Sequence, residues 1–314
     1  MTGLEESGKP GGDGHFSAKL LPVAILVILS IIWGMAFVSI KYLEPVLDPV
    51  NLTLLRWFIA SAAFLVLAPF LGKLRQRFQM RDLPRLALVS FANVVSYHLT
   101  LNFSESSITA GLAVLITSMG PVFILILSWI FIGERHGRRV ILAVSVAFAG
   151  AVILSAGSGM DNGSSSVYGI LEAAGTALSY SVFAVFSKPL VGKYGAIPLT
   201  IWAGLLGTLM LTPLVSGAFI AQISAMPLGA WLAMLYLSLA STVIGYMIFY
   251  TLVNRGTLSK LAVQLYLIPL VGVVGGVLVL GESITAFTVA GGAAMLTAVA
   301  IATGTIRLKK LEQA

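Results

Sequence analysis

Polar groups set inside apolar runs are the residues of this chain that could do chemistry, because in hydrocarbon each must face protein, water or a ligand. Two of them are glutamates with a shared signature. "GPVFILILSWIFIGER" (120–135) runs from Pro121 to Gly133-Glu134, and "IPLVGVVGGVLVLGES" (268–283) runs from Pro269 to Gly281-Glu282. Each proline stands 13 positions before its glutamate (134 − 121 and 282 − 269). The glutamates read either as a carboxylate pair for acid-base work or as punctuation at helix ends. His98 is the one histidine within an apolar run, His15 and His136 lying outside such runs. Its imidazole can relay a proton or bond a carboxylate; the plainer alternative is a neutral ring bonded to Asn102 or a backbone carbonyl. Arg56 is the sole Arg or Lys inside a run. Left unpaired, it would cost about 2.5–3.5 kcal/mol on insertion scales.

The remaining candidates are uncharged. At 100° per residue, Asn93, Ser96, Tyr97, Thr100 and Ser104 fall within about 80° of one another, with His98 and Asn102 in a second stripe. Further along, Thr176, Ser179 and Ser187 share a face with Glu172, Tyr180 and Phe183; Ser238, Ser241, Thr242 and Gly245 accompany Tyr246 and Tyr250; Gln264 and Tyr266 follow. Together with Trp33 and Ser118, these predict a cavity walled by aromatic rings and uncharged hydrogen-bonding groups, suited to moderately amphipathic small molecules. The competing explanation is that each hydroxyl bonds its own helix and each tyrosine packs between helices or sits at an interface.

The elements that must position these groups follow from composition. The chain has 314 residues, 58% hydrophobic and 10% charged, with mean hydropathy +0.99. That leaves too little polar surface for a water-soluble globule of this size and places the chain in a bilayer. Breaks at Gly, Pro and charge divide it into ten runs, near 20–41, 50–71, 83–103, 108–132, 138–157, 168–189, 198–216, 229–251, 257–280 and 285–306. Each is close to the twenty or so residues needed to span about 30 Å of hydrocarbon. Residues 1–19 and 307–314 read as cytoplasmic tails, the first disordered and without a signal-peptide cleavage site; 158–167 reads as a periplasmic Gly/Ser linker. With a cytoplasmic amino terminus, all of the 19 Lys and Arg except Lys41 and Arg56 fall inside, so both termini are expected in the cytoplasm. The net charge of +7 is therefore a topology signal, and no nucleic-acid partner is expected.

Sliding the sequence by 148 positions brings Pro121 onto Pro269 and Glu134 onto Glu282 without a gap. Five runs per copy is an odd number, so the second copy enters the membrane from the other side. The charges agree: Arg135, Arg138 and Arg139 follow Glu134, whereas "SITAF" after Glu282 has none. The expected architecture is an all-α integral membrane protein, 20–157 and 168–306 forming two inverted five-helix repeats, which is how secondary transporters are built. The two glutamates then lie on opposite membrane surfaces and are expected to end helices, Glu134 near Arg138 and Glu282 against amides at the start of the tenth helix. Arg56, roughly 9 Å deep at 1.5 Å per residue, is expected to pair with Glu172 as a structural or gating pair, with Glu44, Asp48 and Glu105 as rivals and snorkelling as the bland alternative. Lys41 is expected to pair with Glu44. Small residues on the fifth and tenth spans suit either internal packing or a homodimer seam.

"IIWGMAFVSIKYL", "LTLLRWFIASAAFL", "SSITAGLAVLITSMGPVFILILSWIFIGERHGRRVILAVSVAFAGAVIL" and "PLVGVVGGVLVLGESITAFTVAGGAAML" resemble EamA-type members of the drug/metabolite transporter superfamily over nearly the whole chain after its first nineteen residues. The resemblance implies a ten-helix carrier in a bacterial inner membrane that exports small metabolites, amino acids or drug-like compounds. It also implies a central cavity lined by helices 1, 3, 4, 6, 8 and 9, with helices 5 and 10 as scaffold. No nucleotide-phosphate loop, metal motif or second intramembrane histidine is present in the sequence, so no cofactor is expected. A membrane-embedded transferase or a receptor is the alternative class.

Overall fold

Helices and closed β-barrels are the spanning elements that satisfy backbone polar groups without water, and the described residues are helical almost throughout. The computed structural model describes residues 13–70, 78–132, 137–162, 164–254 and 264–303, with side chains described over 24–70, 78–131, 141–154, 156, 167–249 and 267–301. The helices are α1 (Asp13–Leu43), α2 (Pro49–Leu67), α3 (Met80–Glu105), α4 (Ala110–Phe131), α5 (Gly137–Asn162), α6 (Ser164–Tyr194), α7 (Ala196–Leu211), the short α8 (Gly217–Ser224), α9 (Leu228–Phe249), α10 (Gln264–Leu280) and α11 (Ala286–Thr303). Among the described residues, seven helices are long and apolar enough to cross a membrane, and three shorter apolar helices, Ile141–Leu154, Leu267–Leu280 and Ala286–Ile301, accompany them.

Each predicted run contains a helix, and the differences lie at their edges. Helix α1 already begins at Asp13, inside the stretch read as a tail, and the Gly/Ser linker is largely taken up by the end of α5 and the start of α6. Propagating an existing helix fixes one residue per hydrogen bond, so flanking helices extend into weak helix formers. Helix α8 lies between the seventh and eighth predicted runs.

Three helices widen locally into π-helical turns: Phe91–Ser96 in α3, Ser128–Ile132 running one residue past the end of α4 and Tyr236–Ile244 in α9. Adding 148 to 91–96 gives 239–244, inside the stretch in α9. A π-turn shifts the phase of every residue after it, so constant 100° spacing loses register in the helices that carry the densest polar stripes.

The core centres on Trp57 and Phe64 of α2 and Leu54, Ile116 and Met234 around them, all at most 2% exposed. Helices α5 and α11 lie along each other, and their small residues are consumed in that contact. A Cβ on Gly150 would stand 3.0 Å from the Gly291 carbonyl oxygen, and one on Gly291 would stand 2.5 Å from Leu154. Gly150 and Gly291 thus serve internal packing between the fifth and tenth spans.

Candidate functional site

A cavity of about 410 Å³ opens between the early and late helices. Its described lining comes from α1 (Trp33, Ala36, Phe37), α2 (Arg56), α3 (Tyr97, His98, Leu101), α4 (Val114, Thr117, Ser118, Gly120, Pro121), α6 (Tyr180), α9 (Ser241, Tyr246, Phe249) and α10 (Ile268). The wall is largely aromatic and aliphatic with a few polar groups, the composition of a small-molecule site.

Proline chemistry shapes one side. Pro121 cannot donate to the Thr117 carbonyl and its ring crowds that position. Helix α4 accordingly breaks, Ala110–Thr117 ending before Ser118 and Met119 and a second segment starting at Gly120. The break delivers Thr117, Ser118, Gly120 and Pro121 to the cavity together. Pro269 lies inside α10.

On the opposite side Trp33 donates from Nε1 to the Ser241 carbonyl oxygen (3.0 Å), a bond from α1 to the π-helical part of α9. Its ring meets Tyr246 edge-on at 6.1 Å and Phe249 at 5.5 Å. His98 is buried, its Nδ1 3.0 Å from the Asn93 carbonyl oxygen, five residues back across the π-turn. The imidazole packs edge-on against Trp57 (5.1 Å) and Tyr97 (4.9 Å). The carbonyl-bonded alternative for His98 is thus present, on a residue that also lines the cavity.

Arg56 is 5% exposed and finds hydroxyls rather than Glu172. Its Nε donates to Thr242 Oγ1 (3.0 Å) and its Nη2 to Ser241 Oγ (3.4 Å). Thr242 Oγ1 in turn donates to the Leu237 carbonyl (2.9 Å). Among the described residues no carboxylate oxygen comes within 4.0 Å of the guanidinium. The pairing with Glu172 assumed only equal depth, whereas the π-turns of α9 present two adjacent hydroxyls to Arg56.

Of the thirteen residues predicted to contact a ligand, Trp33, Tyr97, His98, Ser118, Tyr180 and Tyr246 line the cavity. Others hold helices together instead. Ser96 bonds Ser179 (2.7 Å), Asn102 donates to Thr53 Oγ1 (2.8 Å), Asn93 accepts from Tyr246 Oη (3.4 Å), and Thr242 anchors Arg56. The side chains of Tyr250, Gln264 and Tyr266, and all of Glu134, lie outside the described residues. Phe37 and Thr117 were missed; Phe37 stands one turn from Trp33, and Thr117 stands at the position that Pro121 disrupts.

Two ties close the bundle at opposite ends. At one end Glu282 caps α4: Ala110 N–H donates to Oε1 (2.6 Å) and Gly111 N–H to Oε2 (3.0 Å), while Leu112 N–H donates to Thr109 Oγ1 (3.2 Å). A carboxylate here also meets the positive end of the helix dipole. Gly281 at φ +68° turns the chain out of α10, and a Cβ on Gly276 would collide with Glu282 Oε2. Glu282 therefore caps α4 and not the helix that follows it, against whose first amides it was expected. The expectation looked to the nearest amides in sequence, and those nearest in space belong to the other half of the chain. Beside it, Lys41 bridges Glu44 (2.8 Å) and donates to the Glu105 carbonyl. At the other end Lys193 and Tyr194 of α6 both donate to Asp82 Oδ2 at the start of α3, Lys193 also donates to Gln79 Oε1 (2.6 Å), and Gln79 N–H donates to Tyr194 Oη (3.1 Å). Phe78, Tyr194 and Trp202 stack beneath this network at 5.2–5.4 Å.

The chain matches the EamA-like transporter family twice, over residues 20–156 and 167–304. It is 32% identical to an uncharacterized transporter of Archaeoglobus fulgidus, over 88% of this chain and 96% of that one. It is 31% identical to a probable terminal-alkyne amino-acid exporter of Streptantibioticus cattleyicolor, over 85% and 88%. A solved crystal structure superposes with TM-score 0.58 at 20% identity, covering 91% of this chain and 97% of its own, which shows a shared fold.

Proposed function

Because the chain belongs to the EamA-like transporter family, we propose that this membrane transporter is a secondary exporter of small metabolites or amino acids, working by alternating access in a bacterial inner membrane. Two inverted five-helix repeats, 20–157 and 168–306, rock around the cavity, with both termini cytoplasmic. The carrying observation is a lined cavity to which both halves contribute: Arg56, Tyr97, His98 and Thr117 from one, Tyr180, Ser241 and Tyr246 from the other. The twofold family match and the recurrence of a π-stretch after 148 residues support the repeat. Under this reading the Glu282 end is periplasmic and the Asp82 end cytoplasmic.

Three contacts between the halves suit rocking. Ser96 with Ser179, Thr100 with Thr176 (2.9 Å) and Ser61 with Thr208 (2.7 Å) are neutral hydroxyl pairs. Each is worth about 0.5–1.5 kcal/mol net, so several can be exchanged without unfolding a helix. With no nucleotide motif in the sequence, transport runs on the solute's own gradient or on exchange.

The purified chain in proteoliposomes is expected to give saturable flux of an amino acid or related metabolite without ATP. Linear uptake equal to that of empty vesicles across a metabolite panel would contradict it.

A further inference from the structure

Among its described lining residues the cavity carries one charge and no counter-charge. Arg56 is the only Asp, Glu, Lys or Arg among the described lining residues. Its Nε and Nη2 are held by neutral hydroxyls of α9, and its Nη1 has no hydrogen-bond partner among the described residues. A buried guanidinium satisfied only by hydroxyls keeps its net charge uncompensated, and a ligand anion can supply both the missing acceptor and the missing charge. Two other features of the cavity lining act in that sense. Thr117 Oγ1 is buried without a partner. The eight-residue segment Gly120–Leu127 starts at the cavity, directing the positive end of its dipole there.

We propose that Arg56 is the receptor for a substrate carboxylate, so that the cavity takes small organic carboxylates with an apolar or aromatic body and disfavours organic cations. The proposal deepens the exporter reading and rests on it. Thr117 supplies a second donor from the cavity lining, and Trp33, Tyr97, Tyr180 and Tyr246 receive the apolar body. Anchoring by Thr242 and Ser241 fixes one edge of the guanidinium across the two halves, so a ligand held on its remaining nitrogen is gripped where the halves meet. The rival is Glu105 of α3, fully buried with both carboxylate oxygens unpartnered, which would make Arg56 half of an ion pair in another state of the cycle.

The test uses four probes sharing a phenylethyl body: 3-phenylpropionate, phenylalanine, phenethylamine and 2-phenylethanol. Binding to the purified full chain is read by titration calorimetry, and counterflow is read in proteoliposomes. Both carboxylates should bind at least about tenfold more tightly than the amine, the discrimination expected of a site built around one polar group. Arg56→Lys should keep the order with weaker binding, and Arg56→Gln should abolish it. Should Arg56→Gln not fold, Thr117→Val is expected to weaken carboxylate binding severalfold and leave the amine unchanged. An amine that binds as well as the carboxylates, absence of carboxylate binding, or a preference that survives in Arg56→Gln would overturn the proposal. So would an Arg56→Glu/Glu105→Arg swap that restores what each single change destroys. Carboxylate binding without saturable counterflow would instead overturn the exporter reading and leave the receptor assignment standing.

Discussion

The two ends of the bundle are closed by different chemistry, although each tie joins the first half of the chain to the second. At the Glu282 end a carboxylate bonds two backbone amides at the head of α4, within a seat bordered by Gly111 and Gly276. At the Asp82 end charged side chains meet over an aromatic cluster, Lys193 being 31% and Asp82 18% exposed at the side chain. Backbone amides cannot rotate away or be screened, whereas an exposed ion pair exchanges readily with water and salt. The first end is thus built as a fitted cap and the second as a reversible latch.

Glu282→Ala should have the largest effect on stability, because it strips acceptors from Ala110 and Gly111 at once. About 1–2 kcal/mol is expected for loss of such a cap, read as a lower thermal midpoint of the purified protein in detergent. Gly276→Ala should approach the same loss, since its Cβ occupies the space of the carboxylate. Combining it with Glu282→Ala should cost little more than the worse single change; full additivity would show that the two do not share one seat. Asp82→Asn should leave the thermal midpoint nearly unchanged and alter transport rate in a way that fades as salt is raised. A large, salt-independent fall in midpoint would mean that the two ends do not differ as described.

The same contrast explains how much was legible beforehand. Runs of about twenty apolar residues located the helices, because hydropathy alone decides what can sit in hydrocarbon. The identity of the Glu282 partner was hidden, since amides carry no sequence signature and those of Ala110 and Gly111 lie 171–172 positions away. Lys193 and Asp82 were visible as charges, but nothing in the sequence joined two residues 111 apart. At the cavity, aromatic residues such as Trp33 and Tyr246 were readable from their type. The division of Ser96, Asn102 and Thr242 from Tyr97 and His98 was not, because the π-turns at Phe91–Ser96 and Tyr236–Ile244 break the periodicity on which stripes are drawn.

The chain contains no cysteine, so spin labels can be placed in pairs at will. Exposed positions Tyr42 and Leu228 report on the Glu282 end away from its cap, and Arg81 and Gly192 on the Asp82 end. Pulsed electron-electron distances in reconstituted protein, with and without a saturating transported solute, test alternating access most directly. Opposite changes are predicted, one pair separating as the other closes. Both distances staying fixed, or both widening together, would contradict it.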